Sequence, residues 1–210
     1  MSVGLPLAPL LEGFAISFGL IVAIGAQNAF ILRQGLMREH VFALCLVASL
    51  SDALLVALGV AGVGTFVASN ATLFTVMTLG GAVFLTVYGA MAARRALSPS
   101  ALVAGRCEGL SLRAALATLL ALTFLNPHVY VDTLLLVGSL SARFEGAGRL
   151  AFGIGATSAS FVWFFLLGYG ARLLAPLFAR PAAWRVLDAI IALIMWSIAL
   201  SLLMPLLSGA

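Results

Sequence analysis

The sequence predicts an all-α integral membrane protein with six transmembrane helices. Two observations predict this fold: a composition too apolar for water, and six apolar runs of span length. A third, the placement of the arginines, orients it. Of the 210 residues, 63% are hydrophobic and 9% are charged. A soluble domain carries about 25% charged residues. A soluble chain of this length buries a core, but it cannot hide this much apolar surface.

The runs come in order at 7–32, 41–66, 72–93, 112–140, 149–174 and 184–207. A span needs roughly 20 apolar residues. Most of these runs exceed that, so tilt or breaks are expected. No basic region precedes the first run, so it reads as a permanent span rather than a cleaved leader. The connection from Arg94 to Arg113 is the longest and holds Pro99, Gly105, Cys107 and Glu108. It divides one transmembrane domain, 1–210, into repeat 1 (about 5–95), a cytoplasmic loop (about 95–111) and repeat 2 (about 112–210).

All eleven basic residues are arginine. Nine of them (33, 38, 94, 95, 106, 113, 172, 180 and 185) fall in alternate loops, and only Arg143 and Arg149 fall on the other side. Positively charged loops face the cytoplasm. Six spans then leave both termini outside. The net charge of +4 is spread between apolar runs rather than along one face, which excludes a nucleic-acid surface. Cys45 and Cys107 form no CxxC pair, and neither a metal site nor a cofactor is expected. Asp188 lies three residues after Arg185 and is expected to pair with it on one helix face. Glu12 reads as a solvated end residue, and His40 as a span boundary.

The fourth run carries the most chemistry. It contains Asn126-Pro127-His128-Val129-Tyr130-Val131-Asp132-Thr133. Pro127 cannot donate a backbone hydrogen bond and clashes with the preceding turn. Asn is a favoured N-cap and Pro a favoured next residue. The helix is therefore expected to break here and restart in mid-membrane, with free N–H groups at Pro127–Val129 for an anionic group. The alternative is a plain proline kink.

Asp132 and Asp52 are carboxylates inside spans, where charge is costly and functional by default. No basic residue lies in either span's interior. Such unpaired acids point to a cationic ligand or to proton uptake. Gln27 and Asn28 are adjacent amides in the first run, suited to substrate or to cross-helix bonding, and Gly25 permits a local break. His128 suits either a proton relay or a cross-helix hydrogen bond. Asn28 and Asn126 each lie in the first span of a three-span half. Odd halves face opposite ways, which fits an inverted repeat. Ala151, Gly155 and Ala159 form a small-residue stripe, for packing inside the monomer or at a homodimer seam.

Three segments, Gly25-Ala26-Gln27-Asn28-Ala29-Phe30, Ser51-Asp52 and the Asn126–Thr133 run, resemble the lysine exporter (LysE) superfamily, in its lysine/arginine exporter branch. The resemblance covers essentially the whole chain. It implies two inverted three-helix repeats and export of L-arginine or L-lysine across a bacterial inner membrane, driven by protons or membrane potential. It places the substrate site at Asp52, Asp132, Asn28, Gln27, Asn126, Pro127, His128, Gly25 and Tyr130, with Asp52, Asp132 and His128 as proton-coupling candidates. The alternatives are another amino acid or a small cation as substrate, a channel, and an intramembrane aspartyl protease. A divalent ion wants six or more oxygens, and only two acids are offered. Neither Asp has the Gly-rich flank expected of such a protease.

Overall fold

The computed structural model describes residues 6–23, 25–62, 71–97 and 109–208, without the side chains of 71, 73, 74, 77 and 205–208. Among these residues every regular element is a helix: α1 (Leu7–Ile21), α2 (Ala26–Met37), α3 (Val41–Val60), α4 (Ala71–Leu97), α5 (Leu112–Phe124), α6 (Pro127–Ser141), α7 (Gly146–Gly170) and α8 (Pro181–Ser208). Short 3-10 turns, Ala171–Leu174 and Leu177–Ala179, link α7 to α8. Exposed side chains along α3, α7 and α8, such as Leu54, Leu166 and Leu193, are apolar, so the outer surface is matched to hydrocarbon. The chain is a multi-pass membrane protein.

By length and apolarity alone, three described helices suffice to cross a membrane: α3, α7 with its 3-10 extension, and α8. Counting each bent pair, α1 with α2 and α5 with α6, as one span raises this to five. The central basic loop, with Pro99, Gly105, Cys107 and Glu108, lies outside the described residues, as does the end of the second predicted span.

Close helix approach positions the core. α1 packs along α7, and α4 along α8. A Cβ on Gly13 would sit 2.1 Å from the Phe152 carbonyl oxygen, and one on Gly155 would sit 1.9 Å from that of Leu10. Only glycine allows these backbones to touch. Ala151, Gly155 and Ala159 are all buried, so the small-residue stripe packs inside the monomer.

The first span differs from its sequence expectation at its far end. The helix runs past Leu32 to Met37, so Arg33 is buried within α2 rather than set in a loop. Asp188 also differs. Its Oδ1 accepts from Arg33 Nε at 3.3 Å and from Arg95 Nε at 3.1 Å. Arg185 instead donates to the Ala96 carbonyl at 2.9 Å. The local three-residue spacing loses because Asp188 faces the interior, where two arginines from α2 and α4 converge and supply the compensation a buried charge needs. At the opposite end, Glu12 pairs with Arg143.

Candidate functional site

Two helix breaks build the site. α5 ends at Phe124 and α6 begins at Pro127, with a 62° bend between them. Asn126 has extended backbone, and its side chain accepts from the His128 N–H at 3.2 Å. Pro127 occupies the first helical position. The break, the cap and the proline thus fall where the sequence places them. The Tyr130 hydroxyl donates to the Phe124 carbonyl at 2.9 Å, satisfying one of the acceptors that the break exposes. α6 is π-helical over Tyr130–Val137, a wide turn of the kind found at functional positions.

The second break separates α1 from α2, which are inclined at 81°. Gly25, in extended conformation, is the N-cap of α2. Asn28 reaches back across the break. Its Nδ2 donates to the carbonyls of Ile21 at 2.6 Å and Ala23 at 2.9 Å, and its Oδ1 accepts from Trp163 Nε1 at 3.2 Å. The Asn28 amide therefore holds the end of α1 against the start of α2.

Between the breaks lies a cavity of about 270 Å³. This is close to the lower end of small-ligand sites, roughly 300 Å³. Its polar lining is Ser17, Gln27, Asn28, Asp52, Asn126, His128, Asp132, Thr133 and Ser160, completed by Gly25 and by apolar residues such as Leu20, Val56 and Ile198. Of the residues singled out from sequence, Gly25, Gln27, Asn28, Asp52, Asn126, His128 and Asp132 line this one space. Pro127 and Tyr130 do not; they shape the break beside it.

Asp52 is buried on α3, and its Oδ2 accepts from Ser160 Oγ on α7 at 2.9 Å. Asp132 projects from the π-helical part of α6 into the same space. Neither carboxylate forms an ion pair among the described residues. His128 Nε2 lies 3.3 Å from Ser201 Oγ on α8. Among the described residues, Ser17 Oγ and Gln27 Nε2 are buried without a hydrogen-bond partner.

The donor end differs from expectation. At the start of α6, Asn126 Oδ1 takes the His128 N–H, and the Asn126 carbonyl takes the Val129 N–H at 3.1 Å. Pro127 has no N–H. The first-turn donors of α6 are spent on its own cap. α2 has no side-chain cap, and Gly25, Ala26 and Gln27 at its start line the cavity. The positive helix end therefore faces the ligand space from α2. Sequence reasoning missed Ser17, Ser160 and Trp163. A single hydroxyl or indole in an apolar helix carries no spacing signal.

Broken helices around a cavity that carries a few polar side chains are a recurring arrangement in membrane transporters. Residues 18–205 match the family described as LysE type translocator, and the chain belongs to that family. An arginine exporter protein, ArgO, of Yersinia enterocolitica is 40% identical over 199 residues, covering 93% of this chain and 96% of that protein. The ArgO of Serratia proteamaculans is 39% identical over 197 residues, with coverage of 93% and 96%. A Mycobacterium tuberculosis protein, named as a candidate amino-acid transporter, is 45% identical over 182 residues, covering 87% of this chain and 90% of its own. No solved structure matches the chain.

Proposed function

We propose that this protein exports basic L-amino acids, arginine or lysine, across the bacterial inner membrane. The observation that carries this reading is one cavity with two unlike ends. Asp52 and Asp132 supply negative charge, and neither forms an ion pair among the described residues. The uncapped start of α2 and the unpartnered Gln27 amide supply donors. A basic amino acid complements both: its guanidinium or ammonium meets the carboxylates, and its α-carboxylate meets the helix end. A neutral amino acid leaves the two acids uncompensated.

Six spans and two inverted three-helix repeats complete the proposal. α4 supplies the sixth span, since its 27 residues make a helix of about 40 Å. The helix pairings support the repeat. Exchanging the halves turns the α2–α7 contact into the α6–α3 contact and returns the α3–α7 and α4–α8 contacts to themselves, while α1 packs on α7 more extensively than its counterpart α5 packs on α3. Both breaks fall in the first span of their half. Alternating access then moves one repeat against the other around the cavity. Asp52, Asp132 and His128 are the groups through which protons would exchange for substrate.

Counterflow in proteoliposomes tests the reading. Vesicles loaded with unlabelled arginine should accumulate labelled arginine or lysine, and leucine or glutamate should not compete. Equal competition by leucine sinks the basic-substrate assignment.

A further inference from the structure

Arg149, near the start of α7, is a partly buried cation. It forms no ion pair among the described residues, and its Nε is buried with no hydrogen-bond partner. It also lies at the junction of two apolar grooves on the outside of the bundle. One runs between α3 and α7 past Val56, Val60, Leu150, Ile154 and Phe161. The other runs between α3 and α6 past Val131, Leu134, Leu135, Leu136 and Ala142. Arg149 lines both.

We propose that this face binds one anionic diacyl phospholipid, with its phosphate on the Arg149 guanidinium and one acyl chain in each groove. The proposal rests on the membrane character of the chain and not on the identity of the transported substrate. Three features favour a lipid over a second copy of the chain. The first is depth. From Arg149 to Val162 along α7 is about 20 Å, and the run from Ala142 back to Val131, largely π-helical and so rising less per residue, is somewhat under about 17 Å. One leaflet of hydrocarbon is about 15 Å deep. Each groove therefore spans one leaflet, starting from the level of the cation.

The second feature is number. Two grooves share one cation, as two chains share one headgroup. The third is charge. Arg143 and Glu12 pair at the same end of the bundle, which places Arg149 near the membrane surface where lipid phosphates lie. A guanidinium offers paired donors that fit phosphate oxygens. Leu150, Ile154, Val131 and Leu136 are exposed along the two grooves, so acyl chains have apolar walls to cover.

The test uses the full chain in detergent, titrated with dioleoyl phosphatidylglycerol or dioleoyl phosphatidylethanolamine and read by native mass spectrometry. The parent should retain one phosphatidylglycerol in preference to phosphatidylethanolamine. Arg149→Gln should weaken that binding roughly fivefold or more, the worth of one basic residue at an anionic lipid surface. Gly153→Leu, which fills the α3–α7 groove beside Val60 and keeps the charge, should weaken it as well. Arginine binding should be unchanged in both variants, since neither residue lines the substrate cavity. Phosphatidylglycerol binding unchanged in both variants overturns the proposal. So does equal retention of the two lipids, or quantitative disulfide cross-linking of two lipid-free copies through Gly153→Cys, which would give the face to a second copy.

Discussion

Asp52 on α3 accepts a hydrogen bond from Ser160 on α7 at 2.9 Å, at the wall of the cavity. The bond joins one helix from each half of the chain at the carboxylate proposed to meet the substrate cation. It fixes one oxygen of Asp52 and leaves the other for ligand. Asp52→Asn removes the charge and keeps the shape. Losing one member of a buried charge pair costs about 3–5 kcal/mol, or roughly a hundredfold or more in affinity. Arginine binding to purified Asp52→Asn should fall accordingly, and Asp132→Asn should also lose export while still reaching the membrane. Ser160→Ala removes only a hydrogen bond to a charged group, worth about 1.5–3 kcal/mol. It should cost roughly tenfold to a hundredfold, and Ser160→Thr should recover most of that. Parent-like binding in both Asn variants makes the carboxylates structural.

Asp188 gathers Arg33 and Arg95 on a single oxygen, tying α2, α4 and α8 together at one end of the bundle. Asp188→Asn leaves two inward-facing guanidinium groups without their anion, and a broken buried pair costs about 3–5 kcal/mol. The variant should melt at a clearly lower temperature in detergent than the parent. Asp188→Glu should recover part of the loss, being one methylene longer. Arg185→Gln gives up only a bond to the Ala96 carbonyl and should melt within a few degrees of the parent. An Arg185→Gln loss as large as that of Asp188→Asn would restore the pairing expected from local spacing.

The arginine distribution predicts sidedness. With Cys45 and Cys107 replaced by Ser, Ala179→Cys should react with a membrane-impermeant maleimide only from the cytoplasm. Glu145→Cys should react only from outside. Labelling of both from the same side is incompatible with the six-span topology.

The fold was legible where one residue type dictates one backbone outcome. Asn126-Pro127 reads as a helix cap and first position, with a plain kink as the alternative, and the structure has the cap. Asp52 and Asp132 were legible because hydrocarbon makes an unpaired acid expensive. Partners were less legible, because they depend on which faces meet. Asp188 finds Arg33, 155 residues away, instead of Arg185 three residues before it. The donor end shows a different limit. An Asn-Pro start advertises free N–H groups, yet the same Asn consumes them. Gly25, with no side chain to offer its helix, leaves the start of α2 uncapped. Asn28 reads from sequence as a residue for substrate or for cross-helix bonding, and in the structure its amide bonds across the break and to Trp163.

Gln27 decides whether the cavity has a separate carboxylate end. Its Nε2 is buried at the first turn of α2, in the cavity wall, with no hydrogen-bond partner among the described residues. If that donor and the helix start receive the substrate's α-carboxylate, the two ends of the ligand can be tested separately. Agmatine is arginine without its carboxylate and keeps the guanidinium. The parent should bind arginine more tightly than agmatine. Gln27→Ala removes one hydrogen bond to a charged group, about 1.5–3 kcal/mol, so arginine affinity should fall roughly tenfold. Agmatine has nothing to lose there, and its affinity should stay within about twofold. Asp52→Asn should weaken both ligands alike, since both present the cation. The double variant should then behave additively toward arginine, because the two contacts address opposite ends of the ligand. Isothermal titration of the four proteins with the two ligands gives the full comparison. A Gln27→Ala protein that loses agmatine as strongly as arginine would place Gln27 in the structure of the break, and the carboxylate end would have to be sought elsewhere.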